Sequence, residues 1–181
     1  MEIKLLEIAG IRSAIKAMRL PKRSGEKSDS ENSVYFTHDY HNGNVIGSES
    51  EWYIGPNDMK LAQTLIKAGS EHCKALRGII AWIETTAPWY WFNELDTYVV
   101  GRVPMGSTSS MHIDCKGLTG EELQKAKGAI RGDYEYTRIW AMGYMGLRNM
   151  YKQRRTHRLP EWQQFCDFIE TLPLSKELIL I

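Results

Sequence analysis

The sequence predicts an α+β fold, a small mixed sheet flanked by helices, in a single domain spanning residues 1–181. Two apolar runs, 2–9 and 73–86, are rich in aliphatic and β-branched residues and predict strands. Apolar residues recur at helical spacing in three further segments, 11–20, 57–69 and 160–172. With 181 residues the chain is long enough to bury one substantial core.

Composition narrows the class of protein. The chain is 43% hydrophobic and 25% charged, which is typical of a soluble globular domain. A formal net charge of +1 gives no whole-molecule attraction to nucleic acid, so single-stranded nucleic-acid binding is a weak third hypothesis. No apolar run approaches the roughly 20 residues that span a bilayer. The chain has three cysteines and no C-x-x-C pair, which favours a reduced, cytoplasmic setting and argues against a zinc site. No membrane association is predicted.

In the first half of the chain, strand 2–9 ends at Gly10, and the helix that follows ends before Pro21. Segment 21–33 is polar, which is typical of a solvated loop. The alternative is a loop that wraps a ligand phosphate through Arg19, Lys22, Arg23 and Ser24. Asn42-Gly43, between two extended segments, predicts a hairpin.

In the second half, Ala87-Pro88 predicts the start of a helix that carries Trp89, Tyr90, Trp91 and Phe92. Segment 101–111, with Pro, two Gly and consecutive hydroxyl residues, predicts a loop. Three helices are then predicted, at 119–130, 134–155 and from Pro160 to Pro173.

Two candidate ligand contacts lie near the predicted central strand. Glu71-His72 stands at a helix-to-strand junction, where His72 is either a hydrogen-bond or stacking partner for a ring, or a structural histidine. Trp89 belongs to a cluster of four aromatic residues that point in all directions around a helix, so one or two can stack on a ligand and the others form core.

Two further segments suggest phosphate binding. Ser107–Ser110 supplies hydroxyls and amides for an anion, or forms a polar turn. Arg148, Lys152 and Arg155 share one helix face, and a guanidinium matches phosphate bidentately, although such a run is also typical of a solvated helix end. His38 and His41 have no third ligand nearby, so no metal site is predicted.

Together, Glu71-His72, Ala87-Pro88 and Gly106–His112 resemble the flavin-dependent thymidylate synthases (ThyX), specifically shortened relatives from bacteriophages. In that family a Glu-His pair begins a strand, and Ser109 and His112 fall on the serine and tyrosine of a later motif. Segment 147–165 resembles the family's Arg-rich segment that binds a pyrimidine nucleotide. The resemblance implies a ThyX-like fold, a homo-oligomer, a nucleotide ligand and FAD as the cofactor.

The chain departs from the family at its Arg-His-Arg motif. Thr97–Gly101 stands there instead, Arg102 is the nearest cation, and Met111 replaces a further arginine. Those arginines hold flavin and phosphate, at roughly 1.5–3 kcal/mol for each charge-assisted hydrogen bond. The sequence therefore predicts a pyrimidine-nucleotide-binding protein of phage type without the full synthase chemistry, one that sequesters a nucleotide signal.

The alternative function is a flavin-dependent thymidylate synthase or a related dUMP-modifying enzyme, located in the cytoplasm of the host if a phage encodes it. No catalytic residue is predicted. The residues predicted to contact the nucleotide are Glu71, His72, Trp89, Arg102, Ser107, Ser109, His112, Arg148, Arg155 and His157.

Overall fold

The computed structural model describes the backbone of residues 1–38 and 45–181 and the side chains of residues 1–32 and 52–181. Its strands are β1 (Glu2–Ala9), β2 (Glu31–His38), β3 (Val45–Tyr53), β4 (Ile80–Pro88), β5 (Arg102–Ser107) and β6 (Glu135–Gly143). Its α-helices are α1 (Ile11–Arg19), α2 (Pro56–Ala68), α3 (Trp89–Leu95), α4 (Gly120–Gly128), α5 (Tyr144–Arg154), α6 (Pro160–Thr171) and α7 (Ser175–Leu178). None of these helices is long and apolar enough to cross a bilayer.

Four strands form the central sheet in the order β1-β4-β6-β5, and β2 pairs with β3 in a separate two-stranded sheet. The predicted α+β fold, a small sheet flanked by helices, is confirmed. Every pairing between the described strands is antiparallel, so the sheet is not mixed in strand direction. The Asn42-Gly43 turn itself lies outside the described residues.

The core lies on one face of the central sheet. Side chains along β4 alternate between buried and half-buried, because successive residues of a strand point to opposite faces. Trp91 of α3 lies 5.0 Å from Trp162 and 5.7 Å from Phe165 of α6, between ring centroids, and Trp140 of β6 lies 5.8 Å from Phe165. Each such aromatic pair contributes about 0.5–1.5 kcal/mol beyond area burial. These rings hold α3, α6 and the sheet together.

The predicted strand 73–86 begins too early. Lys74–Gly78 forms a 3₁₀ helix, and the extended segment starts at Ile80. The turn between β1 and α1 packs directly on this 3₁₀ segment: a Cβ on Gly10, whose φ is +90°, would lie 1.8 Å from the carbonyl oxygen of Gly78. Only glycine fits there.

The predicted helix 134–155 is wrong in its first half, where the chain forms β6 before α5 begins at Tyr144. Tyr, Thr, Ile and Trp in that half favour a strand. The two glycines at the junction are sites of close packing. A Cβ on Gly143 would lie 2.7 Å from the carbonyl oxygen of Arg77, and one on Gly146 would lie 2.5 Å from the Met142 sulfur.

The predicted loop 101–111 is also wrong in part, because Arg102–Ser107 forms the edge strand β5. Its pairing with β6 is interrupted by an irregularity between Pro104 and Gly106. Among the described strands of the central sheet, β5 pairs only with β6. Predicting β6 as a helix therefore also removed the strand partner of β5, so the errors at 134–143 and 102–107 have one cause.

The carboxylate of Asp58, at the start of α2, connects three parts of the chain. It accepts hydrogen bonds from Arg19 Nε (2.6 Å), Ser28 Oγ (2.6 Å) and Ser30 Oγ (2.5 Å). Burial alone raises the pKa of the Asp58 carboxyl, but these hydrogen bonds outweigh burial and hold the pKa below its usual range. The end of α1 and segment 20–30 are thereby fixed against α2.

We expect Asp58→Ala to lower the free energy of unfolding by roughly 3–5 kcal/mol, because it leaves the buried Arg19 guanidinium without a counter-charge. The double variant Asp58→Ala/Arg19→Met, which removes both charges, should recover most of that loss. Urea unfolding at neutral pH measures both. Equal losses in the single and double variants would contradict a stabilising ion pair.

The Asp58 carboxylate also makes the free energy of unfolding depend on pH. Since the folded pKa is lowered, the stability that Asp58 contributes is complete above its unfolded pKa near 3.8 and is lost as the pH falls below that value.

Candidate functional site

A cavity of about 1050 Å³ lies between the end of α1, segment 20–27, α2 and segment 71–75. We call it the lysine cavity, after the three lysines in its lining, Lys22, Lys27 and Lys74. Its apolar wall includes Leu61 and Leu65 of α2. Small-molecule sites occupy roughly 300–1,000 Å³, so the lysine cavity has the size of a nucleotide site.

Cations outnumber acids in this lining. Among the described residues, none of the three lysines forms an ion pair, and the carboxylates that also line the cavity belong to Glu26 and Glu71. Ammonium groups without a fixed counter-charge attract an anion into a cleft more strongly than onto a flat surface, because low-dielectric walls focus the field.

Glu71 and His72 lie in the wall of the lysine cavity. This position is the one required if His72 contacts a ligand and is not only a structural histidine. His72 Nε2 is 3.5 Å from Glu71 Oε1, and both side chains are exposed. A hydrogen bond from its own backbone amide lowers the pKa of the Glu71 carboxyl, with smaller contributions from His72, Ser70 and the charge of Lys74. The ionised carboxylate and the imidazole offer an acceptor and a donor to a ligand's N–H and C=O groups.

The sequence predicts a solvated loop at 21–33, with phosphate wrapping as the alternative, and the structure places part of this segment at the lysine cavity. Lys22 and Ser24 line the lysine cavity, and so does Arg19. The Arg19 guanidinium is committed to Asp58, and Arg23 is not among the lining residues. The cations of this segment that line the cavity without an ion-pair partner among the described residues are therefore Lys22 and Lys27.

A second cavity, of about 350 Å³, lies beside Thr97–Val100, where the resembled family has its Arg-His-Arg motif. Its other lining residues include Asn149 and Gln153 of α5. Arg102, the predicted nearest cation, donates to Asp96 Oδ1 (2.8 Å) and to the carbonyl oxygen of Tyr98 (3.2 Å). The guanidinium is almost completely buried by these contacts.

Two acids near α3 hold the surrounding cations. Asp96 also accepts from Arg138 Nη1 at 3.1 Å, and that guanidinium carbon lies 4.2 Å from the ring centroid of Phe92. Glu94 Oε2 accepts from Arg154 Nη1 (2.8 Å) and Trp162 Nε1 (2.9 Å). The positive charge around the second cavity is thus compensated within the chain.

His157 and Trp89 belong to this same network. His157 Nε2 lies 3.7 Å from Glu94 Oε2, and its Nδ1 accepts from the backbone amide of Leu159 at 3.2 Å. Trp89 is partly exposed, with its ring 5.3 Å from Tyr136, whereas Trp91 and Phe92 are fully buried. The expected division of the aromatic cluster into core and accessible rings is confirmed.

The predicted hydroxyl segment forms tight turns after β5. Ser107 Oγ donates to the carbonyl oxygen of Thr108 (2.9 Å), and the carbonyl oxygen of Ser109 accepts from the amide of His112 (3.1 Å). Lys127 Nζ donates to Ser110 Oγ at 2.6 Å, which adds a cation the sequence analysis did not anticipate.

The two predicted arginines of the late helix have protein partners. Arg148, which is buried, donates through Nη1 to the main-chain oxygens of Ile179 (2.8 Å) and Ile181. Arg155 donates to Asp167 Oδ1 at 2.8 Å, and its Nε lies 3.4 Å from Glu170.

The predicted residues therefore fall into separate groups. Glu71 and His72 share the lysine cavity, whereas Arg148 and Lys152 line another cavity of about 390 Å³. None of the cavities described brings Arg148 together with Ser109 in one subunit. Their roles in ligand binding stay predictions.

Sequence reasoning missed Lys27, Lys74 and Thr64 as lining residues. The one available signal was the charge of segment 11–27, which holds six cations and one acid in a chain of net charge +1. Lys74 could not be found this way, because it lies in the segment predicted to be a strand.

We expect Glu94→Ala to lower the free energy of unfolding by about 2–3 kcal/mol, since it removes the acceptor of the buried Trp162 indole and of Arg154. Asp133→Ala, which breaks an exposed ion pair with Arg131, should leave stability almost unchanged and serves as the control. Equal losses in the two variants, measured by urea unfolding, would show that Glu94 has no special structural role.

Comparison with solved structures finds the ThyX of Helicobacter pylori complexed with FAD and dUMP, at a TM-score of 0.71 and 15% identity, over 99% of this chain and 98% of that chain. A second structure of that enzyme, also with FAD and dUMP, gives the same values. No protein-family model and no curated protein matches the sequence. This chain has the fold of the flavin-dependent thymidylate synthases, as the sequence predicts.

Proposed function

We propose that this protein binds a pyrimidine nucleotide in the lysine cavity, without the full flavin-dependent synthase chemistry. The proposal rests on one cavity, large enough for a nucleotide, in which the Glu71-His72 pair meets three lysines that have no ion-pair partner among the described residues. The chain also has the fold of an enzyme whose solved structures contain dUMP and FAD.

In this proposal, charged groups of the cavity bind the phosphate, and hydrogen-bonding groups bind the base. The ammonium groups of Lys22, Lys27 and Lys74 act as point charges for the phosphate. The Glu71 carboxylate and the His72 imidazole pair with the N–H and C=O groups of the base. Apolar side chains of α2 cover the ring faces.

The segment that replaces the Arg-His-Arg motif argues against flavin chemistry. Thr97–Gly101 contains no cation, and the nearby Arg102 and Arg138 are both held by Asp96. Using either guanidinium for FAD would break its ion pair with Asp96. The residues present at this position do not provide the cations that bind FAD in the resembled family, so we propose no flavin reaction for this protein.

A protein that binds the nucleotide without that chemistry acts by sequestering a nucleotide signal. We propose that it is located in the cytoplasm, which is that of a bacterial host if a phage encodes it. The three cysteines are free and buried, in keeping with a reducing compartment. The competing function is a flavin-dependent thymidylate synthase or related dUMP-modifying enzyme, which the fold itself favours.

We further propose a homo-oligomer. The edge strand β5 and the turn before it expose apolar side chains: Val99 (70% exposed), Val100 (85%), Val103 (57%) and Met105 (59%). An exposed apolar edge strand is a ready surface for a second chain. In such an assembly, Ser107 at the end of β5, and Ser109 and His112 after it, would approach a neighbouring subunit and complete a site with its Arg148 or Arg155.

A nucleotide panel tests the proposed function. We expect a pyrimidine nucleotide to raise the unfolding temperature of the colourless protein, because ligand binding stabilises only the folded state. Lys22→Met/Lys27→Met and His72→Ala should each remove most of that shift, whereas Lys125→Met, an exposed lysine on α4, should retain it.

Three outcomes bear on the alternatives. A shift that survives Lys22→Met/Lys27→Met but is lost in Arg155→Ala would move the phosphate to the late helix and overturn the lysine cavity as the site. Yellow purified protein with flavin absorption and dUMP turnover would establish the enzyme instead. Absence of any shift with nucleotides would contradict nucleotide binding altogether.

The oligomer has its own test. Light scattering after size exclusion should give a mass of at least two chains for the wild type and a smaller mass for Val103→Lys, because the lysine charge would be buried at the interface. Lys125→Met should keep the wild-type mass. A wild type that runs as a monomer at all concentrations would contradict the interface.

A further inference from the structure

A further cavity, of about 650 Å³ and distinct from those described above, lies between the end of β1, the start of α1 and the end of β3. Most of its lining is apolar, including Ile8, Ile54, Met59 and Leu174, and Trp52 supplies an aromatic wall. Among the residues whose side chains the structure describes, Arg12 is the one cation in this lining and no acid lines it. We call this cavity the Trp52 pocket.

A smaller cavity of about 300 Å³ adjoins the Trp52 pocket and shares Arg12 and Trp52 with it. Its other lining residues are largely polar, with Lys16 and Arg19 as cations and Glu31 as the acid. Arg12 and Lys16 are four residues apart on α1, so their side chains leave the same helix face. An apolar compartment and a polar, basic compartment therefore meet at the Arg12 guanidinium.

The guanidinium of Arg12 is available to a ligand. Among the described residues, neither Arg12 nor Lys16 forms an ion pair with a carboxylate, whereas the neighbouring Arg19 is held by Asp58. Arg12 is exposed, so it keeps its charge hydrated until an anion replaces the water.

Two parts of the wall of the Trp52 pocket are held in place by contacts within the chain. Gly10, in the lining, is pressed against the Gly78 carbonyl, where no side chain fits. Leu174 adopts the left-handed conformation with φ of +57°, and the preceding Pro173 carbonyl accepts a hydrogen bond from Tyr144 Oη at 2.6 Å. A preformed pocket loses little entropy on binding.

We propose that the Trp52 pocket and its polar neighbour form one binding site for an amphipathic anion. The apolar body of the ligand lies against Trp52, Met59 and Leu174, and its carboxylate or phosphate pairs with Arg12 and Lys16. None of these residues lines the lysine cavity. The polar compartment and the lysine cavity share Arg19, whose guanidinium is held by Asp58 and is therefore not available to either ligand.

Isothermal titration calorimetry of the full chain with decanoate, decyl phosphate and decanol tests the site. We expect both anions to bind more tightly than decanol. Arg12→Met should weaken binding of the anions roughly tenfold, the loss expected for one charged hydrogen bond, and leave decanol unchanged. Met59→Trp, which fills the pocket, should weaken all three ligands, and Arg131→Met, at an exposed cation elsewhere, should weaken none.

Equal affinity of wild type and Arg12→Met for decanoate, or no heat with any of the three ligands, would overturn the proposal. Ligand binding that appears only on dilution to a smaller oligomer would assign the pocket to a contact between copies of the chain, and would overturn it too. Relative affinity for decanoate and decyl phosphate identifies the preferred head group. The nucleotide-induced thermal shift should persist in Arg12→Met, so a failure here leaves the lysine cavity untouched.

Discussion

The buried carboxylate of Asp58 is the contact on which both candidate sites depend. It holds Arg19 at the end of α1 and two serines of segment 20–30, and that segment forms a wall of the lysine cavity on one side and of the polar cavity beside the Trp52 pocket on the other. Asp29, in the same segment, accepts from the backbone amides of Asn57 and Asp58 and so caps α2. A segment with few apolar residues is thus positioned by carboxylates, and the shape of both cavities follows from a few short hydrogen bonds.

Sequence periodicity found the helices that pack on the sheet more reliably than the sheet itself. Apolar spacing located α1, α2 and α6 because each buries one stripe of side chains. It failed for β6, in which the last four residues are buried and the rest are half-buried or exposed, so no alternation marks it as a strand. Gly143 and Gly146 read as weak points of one long helix, whereas they are the places where α5 and β6 pack against their neighbours without a side chain between them.

Sequence reasoning found part of the lining of the lysine cavity but not how that lining is assembled. Glu71 and His72 were recognisable from their position at an element junction, and the basic segment after α1 was recognised as one of two alternatives. That they meet in one cavity depends on how α2 packs against α1, which no local pattern encodes. The reverse holds for Arg148 and Arg155, whose spacing on one helix face is correct but whose partners, main-chain oxygens and the acids of α6, come from distant segments.

Charge compensation separates the cations that stabilise the fold from those that have no acidic partner among the described residues. Around α3, Asp96 and Glu94 take up Arg102, Arg138 and Arg154, and the guanidinium of Arg138 also packs on Phe92, so these cations stabilise the fold. In segment 11–27 the cations outnumber the acids six to one, and Arg19 alone among them is paired within the described residues. A buried arginine with a carboxylate partner has no charge left for a phosphate, whereas an exposed lysine or arginine at a cavity wall exchanges water for the anion at little cost. We therefore expect anions to bind beside α1 and α2, at the lysine cavity and at the polar cavity next to the Trp52 pocket.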